Sequence, residues 1–297
     1  MMNKNAGEMA HEMERLKELT DRRLATFFTE RYSYMPLLES MRYSLLEGGK
    51  RIRAVICMKF CEAVGGKTTD ALDAACAIEM MHAYTLIHDD LPCMDDDDMR
   101  RGKPSNHIKY GESTAVLAGD ALQAAAFTTL LGTCADAKRV VNMVRILAEA
   151  AGAYGVCGGQ YLDLSDEGEL QTPDKLMEIY RLKTAVLISA AARLGVIAGG
   201  GTQTQIDAAD EYAQAIGLAF QLRDDILDDM APGAETGKPA GSDGERDKTT
   251  AVSLLGAGEC ERIIGITTEK AISAIIGKFG DTAFLSWLAS FLSERKT

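Results

Sequence analysis

MHAYTLIHDDLPCMDDDDMRRGKPSNH, residues 81–107, drives an apolar, helix-like stretch straight into a block of carboxylates. Six aspartates stand between Asp89 and Asp98, and Arg100, Arg101 and Lys103 follow at once. Apolar residues recur at three- and four-residue spacing from Asp70 to Leu91, which predicts a helix. Pro92 must end or kink it. Six residues would place Asp89 and Asp95 on roughly opposite sides of an unbroken helix, but a chain turned back at Pro92 can bring them together. A helix C-terminus already carries partial negative charge, so aspartates gathered there destabilise themselves unless cations sit among them. Hard divalent metals, which take oxygen ligands and bridge to phosphates, fit that requirement.

A second acidic segment, FQLRDDILDD at 220–229, has simpler geometry. On a helix Asp224 and Asp228 are one turn apart on one face, with Asp225 beside them and Leu222, Ile226 and Leu227 on the apolar side. A solvated acidic face is the alternative. The apolar run leading into Phe220 and Gln221 argues against it.

Outward from these segments the same periodicity recurs. Helical stretches are expected near 53–64, 112–131, 138–151, 173–198 and 206–230, with an amphipathic stretch near 261–293. Thr172-Pro173-Asp174 reads as an N-cap followed by proline at the first helical position. No segment alternates with period two, short glycine-containing links join the helices, and residues 231–249 form the clearest loop. The expectation is an all-α fold in a single domain over 1–297.

Composition narrows the function. With 297 residues, 46% of them hydrophobic, the chain can bury a large core. A net charge of −12 argues against nucleic-acid binding. The seven cysteines form no CxxC pair and read as thiols in a reducing compartment. The polar start and the absence of an apolar run long enough for a bilayer predict a cytoplasmic protein with no membrane span. Serine-hydrolase, P-loop and dinucleotide-binding signatures are absent.

Basic residues suggest an anionic ligand. Gly48-Gly49-Lys50-Arg51-Ile52-Arg53 precedes a helix start, where backbone amides and guanidinium forks favour phosphate. Arg100, Arg101 and Lys103 adjoin the aspartates, Lys183 interrupts an apolar stretch, and Lys238 and Lys248 lie in the loop. Carboxylates beside guanidinium groups suit a diphosphate clamped by metals on one side and by cations on the other. His82 and His88 lack zinc-site spacing.

With GGQYLDL (158–164), KTAVLI (183–188) and the GK…KTT loop (237–250), these motifs resemble the trans-isoprenyl diphosphate synthases, specifically bacterial-type farnesyl diphosphate synthases. The resemblance spans about Gly48 to Thr250 and implies a bundle of helices, ten or more, around a central apolar cavity, the isoprenoid synthase type. It further implies that Asp89, Asp95 and Asp224, supported by Asp90, Asp225 and Asp228, hold three Mg²⁺ ions and an allylic diphosphate. Arg100, Lys183, Lys238 and Lys248 resemble residues gripping that diphosphate, while Lys50, Arg53, His82 and Arg101 resemble the isopentenyl diphosphate site. Thr184 and Gln221 resemble groups facing the developing carbocation. Tyr84 and Thr85, one turn before Asp89, are expected to form the floor that limits product length. An aromatic at Tyr84 goes with fifteen carbons in the family, so farnesyl diphosphate is the expected product and geranylgeranyl diphosphate the alternative. A homodimer is implied as well. Ala54 stands where the family usually has proline, and Arg223 occupies a position more often neutral or acidic. A class I terpene cyclase would share an acidic metal motif but needs no second diphosphate site. A catalytically silent partner subunit would not need both acidic motifs.

Overall fold

The computed structural model describes residues 2–133, 135–165, 172–230 and 249–295. These fold into helices: α1 (Met2–Leu24), α2 (Met35–Leu46), α3 (Ile52–Ala63), α4 (Leu72–Asp89), α5 (Asn106–Tyr110), α6 (Glu112–Leu131) and α7 (Ala137–Ala151). They continue as α8 (Val156–Ser165), α9 (Pro173–Tyr180), α10 (Val186–Ala198), α11 (Gln203–Met230), α12 (Ala251–Leu255), α13 (Ala257–Ile275) and α14 (Ala283–Glu294). The one extended feature described is a two-residue antiparallel ribbon, Met99–Arg100 against Lys103–Pro104. The fold is all-α, as composition and periodicity require.

α10 is the axis. Ala- and Leu-rich and buried almost throughout, it packs against α3, α4, α7 and α11. Its small side chains allow this approach: a Cβ on Gly195 would stand 2.0 Å from the Cys57 carbonyl oxygen of α3. A second, smaller apolar cluster gathers α9, α12, α13 and the C-terminal half of α11. α11 thus belongs to both clusters, and its acidic segment emerges where they meet.

Two expected helices are interrupted. The stretch 173–198 starts as read, with Thr172 accepting from the Lys175 amide at 3.4 Å and Pro173 at the first position. It then widens into a π-helical turn at Arg181–Ala185 before α10. The stretch 261–293 is two helices, broken around Gly277 at φ +75°, a conformation open to glycine at no steric cost. Pro92 acts as expected: α4 stops at Asp89, and the Asp95 amide donates back to the Asp89 carbonyl oxygen at 2.8 Å.

Candidate active site

α4, α8, α9, the π turn and α11 converge on a cavity of about 390 Å³, within the usual range for a small-molecule site. Its mouth is acidic from two sides. Asp89 and Asp95 line it from the end of α4, and Asp224 and Asp228 line it from α11. Arg53, His82, Arg100 and Lys183 bring positive or polarisable groups to the same space, and Thr85, Thr184 and Gln221 complete its polar wall.

Burial dominates the electrostatics. Asp89 is raised from 3.8 to about 6, mainly because its charged form is desolvated, and Lys183 only partly offsets this. Asp224 is likewise raised to about 6 by burial, although the Arg295 guanidinium opposes the shift. Desolvation depresses Lys183, but Asp163, Asp89 and Asp95 outweigh it and hold the ammonium above its ordinary value. His82 is pushed well below its usual range by burial, with Arg53 and Arg101 adding to the effect. It is a neutral imidazole at pH 7.

The structure separates the six aspartates into two kinds. Asp89, Asp95, Asp224 and Asp228 border the cavity. Asp90, expected as a metal ligand, is instead turned behind α4, where it is 2% exposed and receives both Nε (2.9 Å) and Nη2 of Arg100. Asp90 is the residue just past the end of α4, and the Arg100 guanidinium holds its carboxylate away from the cavity lining. Asp225 touches the cavity wall, but its oxygens are occupied: Oδ2 accepts from the Ala251 amide at 2.8 Å and from the Tyr180 hydroxyl, and Oδ1 from Gln221 Nε2 at 3.3 Å. It ties α11 to α9 and α12 and is not placed as a metal ligand.

The basic residues divide as well. Arg100, pinned by Asp90, reaches the cavity and also meets Asp97 at 3.3 Å. Arg53 lines the cavity, and its buried Nε has no hydrogen-bond partner among the described residues. Arg101 lies just behind, donating from Nη1 to the Gly48 carbonyl at 2.6 Å. Glycine suits position 49, whose φ of +108° is strained for other residues. Lys50 is exposed and outside the cavity lining. Lys238 and Lys248 lie outside the described residues. Of the expected floor pair, Thr85 lines the cavity and Tyr84 does not. Five residues before Asp89 is 140° round the helix, so the Tyr84 ring packs on His88 and its hydroxyl lies 3.5 Å from Cys157 Sγ on α8. Arg223 faces away, making a bidentate pair with Glu261 of α13 at 2.7 Å and bonding the Ser293 carbonyl at 2.6 Å.

Sequence reading missed four participants. Asp163, inside the quoted GGQYLDL motif, accepts from Lys183 Nζ at 2.7 Å and lines the cavity. A lone acid in an apolar motif was the available signal. Tyr180 is the hydroxyl partner of Asp225. Glu79 is buried behind Arg53. Arg295 reaches Asp224 from beyond α14, stacking on Phe220 with 3.9 Å from guanidinium carbon to ring centroid. Pairings across 71 residues of sequence leave no local mark.

A divalent cation fits the donor set. Among the described residues no three His, Cys, Asp or Glu side chains converge tightly enough to hold an ion alone. The carboxylates line one cavity from two elements, and phosphate oxygens and water would complete a hard-cation shell there. Burial raises Asp89 and Asp224, and a bound cation would offset the desolvation of their charged forms.

The family described as Polyprenyl synthetase matches residues 35–274. The chain belongs to that family. It is a trans-prenyltransferase. The large subunit 1 of a chloroplastic heterodimeric geranylgeranyl pyrophosphate synthase from Arabidopsis thaliana is 46% identical over 267 residues, 87% of this chain and 72% of the relative. Further plant relatives named as geranylgeranyl pyrophosphate synthases are 44–50% identical; a Capsicum annuum enzyme among them is covered over 60% of its length. An FPP/GFPP synthase from Zymomonas mobilis superposes with a TM-score of 0.86 at 33% identity, over 97% of this chain and 99% of that one. A Helicobacter pylori geranyltransferase complexed with magnesium and isoprenyl diphosphate has a TM-score of 0.83 at 29% identity, over 97% and 96%.

Proposed function

We propose that this prenyltransferase joins an allylic diphosphate to isopentenyl diphosphate, releasing inorganic diphosphate and a proton. The observation that carries the reading is one cavity lined by acidic residues from two elements and also by Arg53 and His82, which we read as a basic recess. The acidic walls suit a metal-bound leaving group, and the recess suits a second diphosphate. A cyclase has no use for the recess.

Magnesium, held by Asp89, Asp95, Asp224 and Asp228 in our reading, would supply Lewis-acid stabilisation of the leaving diphosphate. Lys183 and Arg100 lie where they offset charge as the allylic C–O bond breaks and its electron pair leaves with oxygen. Thr184 donates its proton to Gln221 Oε1 at 2.9 Å, which leaves hydroxyl lone pairs for the developing cation. Arg53 and neutral His82 orient the isopentenyl diphosphate. Its π electrons then form the new C–C bond, and the adjacent carbon loses a proton to the departed diphosphate.

The relatives' names support a twenty-carbon product over the fifteen carbons expected from sequence, and we adopt geranylgeranyl diphosphate as the first reading. Tyr84 supports the fifteen-carbon reading: though set behind Thr85, it fills the α4–α8 seam that a longer chain would enter. Chromatographic sizing of products made with Mg²⁺, isopentenyl diphosphate and each allylic starter tests both. Products that consume no isopentenyl diphosphate would point to a cyclase.

We also propose a homodimer. α6 is long and apolar enough to cross a membrane, yet only 39% of its apolar window is buried. Leu117 is 56% and Leu131 65% exposed, with Val141 of α7 alongside at 66%. A second copy covering this face accounts for them.

A further inference from the structure

Glu79 lies in the middle of α4, nearly three turns before Asp89, and is 3% exposed. Nothing in its local sequence explains a buried carboxylate there, and burying one without partners is costly. Its partners lie at the start of α3. Oε1 accepts from the Ala54 amide at 3.2 Å, and Oε2 accepts from Arg51 Nη1 at 3.2 Å.

Both contacts repair a defect. Arg51, the residue before α3, is left-handed at φ +49° and offers no side-chain cap. The first amides of a helix need an acceptor, and a negative charge at that end is favoured. Glu79 supplies it from another helix. Arg51 is fixed in addition by Asp21 Oδ1 at 2.8 Å and the Leu45 carbonyl at 2.7 Å. Arg53 stands between these two contacts, one to the Ala54 backbone amide and one to the Arg51 side chain.

The charge balance follows the same geometry. Arg53 and Arg101 are both lowered, first by burial, and Glu79 is among the groups opposing that shift in each. One buried carboxylate faces the guanidiniums of Arg51, Arg53 and Arg101. It bonds only Arg51. Arg53, on the cavity wall, keeps a buried Nε without a hydrogen-bond partner among the described residues.

We propose that Glu79 is the positioning residue of the basic recess: it caps α3, holds Arg51, and so keeps the Arg53 guanidinium aimed at the cavity and available to the diphosphate of isopentenyl diphosphate. The assignment of that substrate rests on the function proposed above. Glu79 does not touch substrate; it acts through Arg53.

The test is a pair of steady-state titrations on the full-length enzyme, varying isopentenyl diphosphate and geranyl diphosphate separately, for Glu79→Gln, Arg53→Ala and the double variant. Loss of a charged, buried contact of this kind corresponds to roughly a tenfold effect. Glu79→Gln is expected to raise the KM for isopentenyl diphosphate by about that factor, with kcat and the KM for geranyl diphosphate changed by less than about twofold. In the Arg53→Ala background Glu79→Gln should add nothing, because a residue acting through Arg53 has nothing left to position. If Glu79→Gln does not fold by circular dichroism, Glu79→Asp, which retains the charge one methylene further back, is read by the same criteria. An unchanged KM for isopentenyl diphosphate in a folded variant overturns the proposal, as does an equal loss for both substrates or an additive double variant. Wild-type enzyme that ignores isopentenyl diphosphate would instead overturn the function proposed above, which separates the two failures.

Discussion

Asp89 shows how a single side chain can be set against the stability of its own fold. Its folded value of about 6 lies above the ordinary 3.8, so the folded protein holds this proton more tightly than the unfolded chain. Without metal, stability should therefore rise as pH falls from 7 through 6 toward 4, where the unfolded chain begins to take up the proton too. Asp89→Asn removes the desolvated charge. Thermal melts without metal should show the variant at least as stable as wild type at pH 7 and flatter between pH 7 and 5. Turnover should fall by about a hundredfold or more. Tyr84 is the residue-scale test of product length: Tyr84→Ala opens the α4–α8 seam behind Thr85 and should shift the chromatographic profile to longer chains. An unchanged profile would assign the limit to another wall. The cavity aspartates were legible because helical spacing alone puts Asp224 and Asp228 on one face and Pro92 turns Asp95 back to Asp89. Asp90 and Asp225 were not, since their partners Arg100, Tyr180 and Ala251 are fixed by tertiary packing.

Among the elements, the π turn at Arg181–Ala185 matters most to the site. Lys183 and Thr184 both line the cavity from within this turn. π bulges inside helices frequently mark functional positions. Two glycines clamp this one from opposite sides. A Cβ on Gly159 of α8 would stand 2.5 Å from the Lys183 backbone nitrogen, and one on Gly217 of α11 would stand 2.5 Å from the Ala185 Cβ. Neither neighbour can rotate away, since the obstacles are backbone or the first carbon of a side chain. Gly159→Ala should therefore cost roughly 1–3 kcal/mol by chemical denaturation. Because the displaced atoms carry Lys183, kcat should fall further than stability loss alone explains. Wild-type values in both measurements would deny the clamp. Hydrophobic periodicity reported the whole stretch as one helix, and correctly so for its ends. α10 is buried on nearly every face, so a one-residue slip of phase leaves no visible break in its apolar pattern.

At the scale of the whole molecule, α11 couples the two apolar clusters and carries the second acidic wall between them. The all-α class was legible because nearly every segment carries the same period, while the meeting of α4 and α11 across a cavity was not, as it depends on how the helices pack around α10. The uncovered face of α6 belongs to this scale too. Leu117→Lys should convert a dimer to monomer in light scattering coupled to gel filtration; wild type that is already monomeric would remove the second copy from the account. The central claim is that the two acidic walls grip one diphosphate jointly through magnesium. Isothermal titration of inorganic diphosphate into the purified protein, with and without Mg²⁺, tests it most directly. Binding should require Mg²⁺ in wild type and be lost in Asp89→Asn and in Asp224→Asn taken singly. Binding that is indifferent to Mg²⁺, or that survives in both variants, would contradict it.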